Sequence, residues 1–277
     1  MTKKHLIALD LDGTLLTDNK TISDNSKKMI RTLIDQGHIV VIATGRSKRV
    51  TMNYYHELGL STPVVNSNGA FMHHPFDKSW KTQHLPLTLD TAMEIVEASK
   101  YFQSKNILAN VQDNIYLDTY DKEIANFYGF TQTSNEFIVG DIKDSLKAEP
   151  TGMLLYPEEQ YLPELTAKLN QLDTELVDHR NWGAPFHVIE VLNIGANKGE
   201  AIKQLAEQYN IPQERIMAFG DGGNDLEMID YAGVGVAMEN AVSELKNLAT
   251  HHTATNEEHG VAGFLADYFK LKDSLVI

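Results

Sequence analysis

The sequence predicts an α/β protein in which a doubly wound parallel sheet is interrupted by an inserted α/β domain. Three observations predict it. Apolar, strand-like runs alternate with amphipathic stretches from the N-terminus onward, a β-α-β order that favours a parallel sheet. This alternation lapses near Pro86 and resumes near Val191. Several of the strand-like runs also end in polar or acidic residues, and open α/β sheets bind ligands beyond the carboxyl ends of their strands. A core of residues 1–85 and 191–277 with an insertion over 86–190 follows, in keeping with a 277-residue chain long enough for two domains.

The elements come in this order. Residues 5–9 form an unalternating apolar run that suits a strand buried on both faces, with Asp10 at its carboxyl end. Ser23 is placed to cap a helix that carries Met29, Ile30, Leu33 and Ile34 on one face and stops at Gly37. A strand over 38–43, a helix over 47–58 and a short strand over 63–65 continue the rhythm. Inside the insertion, helical stretches over 88–101 and 158–172 accompany a hairpin of 107–111 and 115–117 that turns at Asp113 and Asn114. The core resumes with a helix over 198–209, a strand over 215–219, a helix after Gly223 and a strand over 234–237.

Composition narrows the function. Hydrophobic residues at 42% and charged residues at 22% describe a chain that buries a sizeable core, and wholesale disorder is not expected. A net charge of −14 repels a nucleic-acid backbone, so no nucleic-acid partner is expected. The same charge repels small phosphorylated substrates, so a phosphate site here needs local positive potential from a metal, a lysine or backbone amides. The absence of cysteine excludes disulfides, thiolate catalysis and thiolate-bound zinc. With no oxidising compartment indicated, and an N-terminal apolar run too short for a leader or a span, a cytoplasmic protein with no membrane partner is expected.

Four segments carry chemistry. Asp10-Leu11-Asp12-Gly13-Thr14 places two carboxylates beside a tight turn at a strand end. A calcium loop fails here, because Leu15 and Thr21 stand where that pattern needs glycine and glutamate. Thr44-Gly45-Arg46 joins a strand to a helix, where a hydroxyl and free amides suit a phosphate or simply cap the helix. Asn197-Lys198-Gly199 opens a helix but lacks the Ser or Thr of a nucleotide phosphate loop. Gly220-Asp221-Gly-Gly-Asn224-Asp225 follows another apolar strand. Carboxylates ~4 Å apart repel by about 4 kcal/mol at an effective dielectric near 20, so such a cluster calls for a cation. All-oxygen ligands favour Mg²⁺ over zinc.

Taken together and in this order, the four segments resemble the motifs of the haloacid dehalogenase (HAD) superfamily. With Asn66-Ser-Asn68-Gly69-Ala70 and a long insertion between the second and third motifs, the whole chain resembles the Cof-like hydrolases of subfamily IIB, whose HAD-like (Rossmannoid) core bears a large α/β cap. The resemblance implies a Mg²⁺-dependent phosphatase of small phosphorylated metabolites, sugar phosphates foremost, working through an aspartyl-phosphate. Asp10 would be the nucleophile and Asp12 the acid and base. Thr44, Gly45, Lys198 and Asn224 would hold the phosphoryl group, with Lys198 counted also as catalytic. Asp10, the main-chain carbonyl of Asp12, Asp221 and Asp225 would hold the metal. Arg46 would join the site or brace the core. A sugar phosphomutase is the enzymatic alternative, and a non-catalytic binding protein the alternative of another class.

Two features point away from chemistry. The pairs His73-His74 and His251-His252 cannot present a common metal-binding face and are expected at the surface. Trp80, Tyr101, Phe102 and Trp182 are expected to pack in core or cap, Trp182 standing just before the chain returns to the core.

Overall fold

The structure is a computed structural model that describes residues 3–130, 135–172, 176–182 and 187–271. The chain divides into two compact units, one of Met1–Arg46, Thr51–Thr82 and Asn197–Ile277, the other of Ser47–Val50 and Gln83–Ala196.

The first unit is built on a five-stranded sheet in which the strands run, from one edge to the other, His251–Thr253, Val234–Met238, Ile216–Gly220, Leu6–Leu9 and Ile39–Ile42. Every pairing is parallel. A further parallel bridge from Ala43 to Val65 brings Val64–Asn66 alongside. The two faces are covered by different helices, and the alternation of the central strand shows how. Ile7 and Leu9 pack among Met29, Leu33, Tyr55 and Leu265, while Leu6 and Ala8 pack among Ile202, Leu205 and Met228. Both faces are dry, which is why the strand reads as an unbroken apolar run.

Local signals set the element ends as expected. The Asp24–Asp35 helix is capped by Ser23, whose side chain accepts the amide N–H of Ser26, and the chain leaves it through Gly37 at φ +87°. The Lys198–Gln208 helix is capped by Asn197, which accepts the N–H of Glu200. Register then places the site. Leu9 pairs with Phe219 on one side and Ile42 on the other, so Asp10, Gly220 and Ala43 leave the sheet at one level and in one direction.

The second unit has a six-stranded sheet in the order Val177–Asn181, Ile189–Asn193, Gly152–Tyr156, Asn106–Val111, Asn114–Leu117 and Phe137–Val139. All neighbours are antiparallel except the last pair. Helices Leu89–Tyr101 and Leu162–Leu169 pack on one face with Ile107, Leu155 and Val191.

Four expectations change. Residues 191–196 belong to the second unit, because Ile189–Asn193 pairs with strands on both sides there, and the first crossing falls at 82/83 rather than 85/86. The apolar run after Val188 suits either sheet, and only long-range pairing decides between them. The hairpin turns at Gln112 and Asp113, since Asn114 pairs with Val111 and Gln112 adopts φ +54°. His73 is buried in the strand Phe71–His73, although His251 and His252 are exposed as expected. Trp80 and Phe102 pack against cores, whereas Tyr101 and Trp182 are exposed.

The Lys198–Gln208 helix lies so close to its neighbour that a β-carbon on Gly199 would sit 2.6 Å from the Glu227 carbonyl carbon. Gly199→Ala is therefore expected to destabilise the protein by roughly 1–3 kcal/mol through overpacking, despite alanine's better helix propensity. Urea denaturation measures it.

Candidate active site

Two loops at the carboxyl ends of adjacent strands bring the acidic residues together. Asp10 follows Leu9 directly, and its backbone N–H still donates to Phe219 O, so its side chain leaves from a fixed point on the sheet. Asp221 follows Gly220, and Asp225 stands in the single helical turn after it. Asp10, Asp221 and Asp225 each offer a carboxylate oxygen, and the three oxygens lie within 4.8 Å of one another. Asp10 and Asp225 are buried, and Asp221 is partly so.

One cation is built into this cluster. Lys198, fully buried in the first turn of its helix, donates from Nζ to Asp10 Oδ1 at 2.6 Å and to Asp225 Oδ1 at 2.7 Å. The other oxygen of Asp225 accepts the backbone N–H groups of Asp221 and Gly222, both at 3.0 Å. Asp225 thus ties the loop that carries Asp221 to the lysine. Thr14 Oγ1 donates to Asp221 Oδ1 at 2.9 Å. Gly13, at φ +75°, is required here twice, since a β-carbon would also strike the Asp221 carboxylate.

The electrostatics follow from this arrangement. Burial pushes the Asp10 carboxyl well above the usual range, Lys198 opposes the shift, and the charges of Asp225 and Asp221 add to it. Burial, then the charge of Asp225, lifts Asp221 to about 6, with Thr14 and Lys198 opposing. Burial would strip Lys198 of its proton, but the charges of Asp10 and Asp225 outweigh it and raise the ammonium's pKa. Three carboxylates share one ammonium that touches only two of them, a donor set of oxygens left short of positive charge.

Asp12 is held apart from this cluster. Arg46 grips it with two donors, Nε to Oδ2 at 2.6 Å and Nη2 to Oδ1 at 2.8 Å, and Lys20 Nζ reaches Oδ1 at 2.8 Å. Burial would raise its pKa, yet the hydrogen bonds from Arg46 and Lys20 and their charges carry it down to about 2. The Arg46 guanidinium lies 5.2 Å from the Tyr54 ring centroid, and Tyr54 OH donates to Lys20 O at 3.1 Å, so one tyrosine supports both cations. Arg46 thus braces Asp12.

A third loop completes the site. Thr44 is buried, and its Oγ1 accepts the Arg46 N–H at 3.1 Å as a helix cap would. Gly45 and Asn68 pack together, and Asn68 Oδ1 accepts from Asn224 Nδ2 at 2.9 Å. Every sequence-predicted site residue therefore lies in the first unit, at strand ends, in the turns that follow them or, for Lys198, in the first turn of its helix. Thr14, Lys20 and Asn240 are participants that the sequence did not single out. Asn240 Nδ2 donates to Gly13 O at 2.7 Å, and no local pattern marks it. Thr14 could have been found from its place in the first motif.

A one-lysine, three-carboxylate cluster at the mouth of a parallel sheet defines a hydrolase of the haloacid dehalogenase type. The chain belongs to that family, since the model of the haloacid dehalogenase-like hydrolases matches residues 7–265. It is 45% identical over 270 residues to the 5-amino-6-(5-phospho-D-ribitylamino)uracil phosphatase YitU of Bacillus subtilis (strain 168), covering 98% of this chain and 99% of that protein. It is 30% identical over 266 residues to the putative phosphatase YxeH of the same organism, covering 93% and 95%. Among solved structures it resembles TM0651 from Thermotoga maritima, with a TM-score of 0.80 and 28% identity over 96% of this chain and 97% of that one. The HAD subclass IIB sugar phosphatase BT4131 shares the fold at a TM-score of 0.78 and 20% identity, over 97% and 99% of the two chains. The protein is a phosphatase. No helix among the described residues is long and apolar enough to cross a membrane.

Asp221 makes stability depend on pH. A carboxyl with a folded pKa of about 6 binds its proton more tightly than the unfolded chain does, so its contribution is present below pH 4 and is lost as pH rises through 6. In chelator, the decline in unfolding free energy between pH 4 and 6 is expected to be shallower in Asp221→Asn than in wild type, as read from urea melts across that range.

Proposed function

We propose that the chain hydrolyses phosphate monoesters with Asp10 as nucleophile and Mg²⁺ as cofactor. The observation that carries this is the Lys198 ammonium shared by Asp10 and Asp225 beside a third carboxylate, Asp221. The oxygen-only donors and the shortage of positive charge fit a hard divalent cation. Asp10, Asp221 and the main-chain carbonyl of Asp12 would hold it, with Asp225 supporting directly or through water. When bound, Mg²⁺ would neutralise charge between the substrate phosphoryl group and Asp10.

The chain's own residues do the rest. Lys198 orients Asp10 and offsets part of the burial that raises its carboxyl, so one carboxylate oxygen can attack phosphorus while the bond from phosphorus to the ester oxygen breaks. The leaving alkoxide takes a proton from Asp12, and water then attacks phosphorus, gives its proton to Asp12, and releases phosphate and free Asp10. Thr44, Gly45, Asn224 and Lys198 would hold the phosphoryl oxygens as fixed donors, where charge accumulates in the transition state. Held by Arg46 and Lys20, Asp12 is ionised through the neutral range. Acting as an acid therefore requires that the Arg46 fork release it.

The second unit, an α/β domain inserted between the second and third motifs, is the proposed cap that selects the substrate. The substrate class is a phosphorylated sugar or sugar alcohol. A ribityl phosphate is favoured, because the 45%-identical relative is a 5-amino-6-(5-phospho-D-ribitylamino)uracil phosphatase.

Asp10→Asn is expected to fold normally and to lose at least ~10³-fold in kcat for every substrate. Near wild-type phosphate release would disprove the nucleophile. In a screen with Mg²⁺, 5-amino-6-(5-phospho-D-ribitylamino)uracil should give a kcat/KM at least ten-fold above that of hexose phosphates, a difference of about 1.4 kcal/mol. A hexose phosphate that matches it would remove the ribityl preference, and isomerised sugar phosphate without free phosphate would mark a mutase.

A further inference from the structure

Two consecutive residues beside the site, Ser67 and Asn68, adopt left-handed backbone conformations at φ +47° and +52°, and both are buried. Non-glycine residues rarely accept this geometry, and buried pairs of them persist only where the surroundings over-determine them. Here the surroundings do. Ser67 N–H donates to Arg46 O and Asn68 N–H to Thr44 O, both at 3.0 Å, and Ala70 N–H donates back to Ser67 O at 2.9 Å. Asn66 Nδ2 adds bonds to Arg46 O at 3.1 Å and to Thr51 Oγ1 at 2.8 Å. Gly69, at φ +99°, lets the turn press against the backbone of Asn197, the cap of the helix that carries Lys198.

The turn thus touches three loops of the site, and Asn68 is the side chain it delivers. Its Oδ1 lies 3.1 Å from where a β-carbon of Gly45 would stand, and it accepts one hydrogen of Asn224 Nδ2 at 2.9 Å. A primary amide has two such hydrogens in one plane. Fixing the first fixes the direction of the second. Glycine would relieve the left-handed backbone, so a side chain kept there at a conformational cost is explained by what its amide does. Aspartate could accept the same bond, but would add a negative charge to a cluster already short of positive charge.

We propose that Asn68 is a positioning residue for phosphoryl binding that acts through Asn224, its carboxamide aiming the second Asn224 N–H at the phosphoryl group. This rests on the reading of Asn224 as a phosphoryl donor. The turn 66–69 thereby links the second motif through backbone hydrogen bonds, the third through the packing of Gly69 on Asn197, and the fourth through the Asn68 side chain.

Calorimetric titration of inorganic phosphate into the full-length Mg²⁺-loaded protein tests this, with Asn68→Gly, Asn224→Ala and the double variant. Asn68→Gly should keep or raise the melting temperature, because the backbone strain is relieved, and weaken phosphate binding about five-fold, the worth of one hydrogen bond. In the Asn224→Ala background the same change should add nothing, since the group that Asn68 orients is gone. Unchanged phosphate affinity in Asn68→Gly, or a full five-fold loss persisting in the double variant, overturns the role of Asn68 while leaving Asn224 in place. Phosphate affinity unchanged in Asn224→Ala overturns the reading of Asn224, and the inference with it.

Discussion

The buried ammonium of Lys198 is the interaction on which the rest of the site depends. A lysine with no exposure would lose its proton without anionic partners, and it finds them in Asp10 at 2.6 Å and Asp225 at 2.7 Å. Each charge is tolerable only because of the others. The constraint reaches outward from there. The lysine must leave the first turn of its helix, that helix must lie against Glu227 closely enough to need glycine at 199, and Asp10 must stand at a sheet position fixed by its backbone bond to Phe219.

Asp225 shows how a single carboxylate serves both charge and shape. One oxygen meets Lys198, and the other gathers the N–H groups of Asp221 and Gly222, closing the loop so that Asp221 turns toward Gly13 and Thr14. The first motif is also held by Asn240 on Gly13 O, and the chain just after it by Asn256 on Leu16 O. Rigid loops of this kind place donors before a substrate arrives, so little reorganisation is needed when charge develops.

Charge is segregated on two scales. The chain carries a net charge of −14, yet Lys198, Arg46 and Lys20 are concentrated where a phosphate would bind. Two of those cations are occupied by Asp12, which distinguishes it from Asp10. Asp10 is desolvated and its carboxyl is raised, while Asp12 is saturated with donors and lowered. Two carboxylates two residues apart acquire opposite tendencies from their surroundings alone.

By itself, the sequence determined the class of the fold and the segments that carry the acidic cluster. Unbroken apolar runs such as 5–9 mark strands covered on both faces, Ser23 and Gly37 mark a helix's ends, and acidic residues after such strands announce a carboxylate-rich edge, because all of these signals are local in the chain. Tertiary structure decided what is not local. It assigned Ile189–Asn193 to the inserted sheet through pairing with Gly152–Tyr156, a choice that hydrophobicity cannot make. It joined Lys198 to two carboxylates far away in sequence, turned Arg46 from a candidate phosphate ligand into the clamp on Asp12, and brought Asn68 onto Asn224. Hydrogen bonds and charge pairs depend on distances of a few ångströms between segments, and those distances exist only once parallel register has brought the strand ends to one edge.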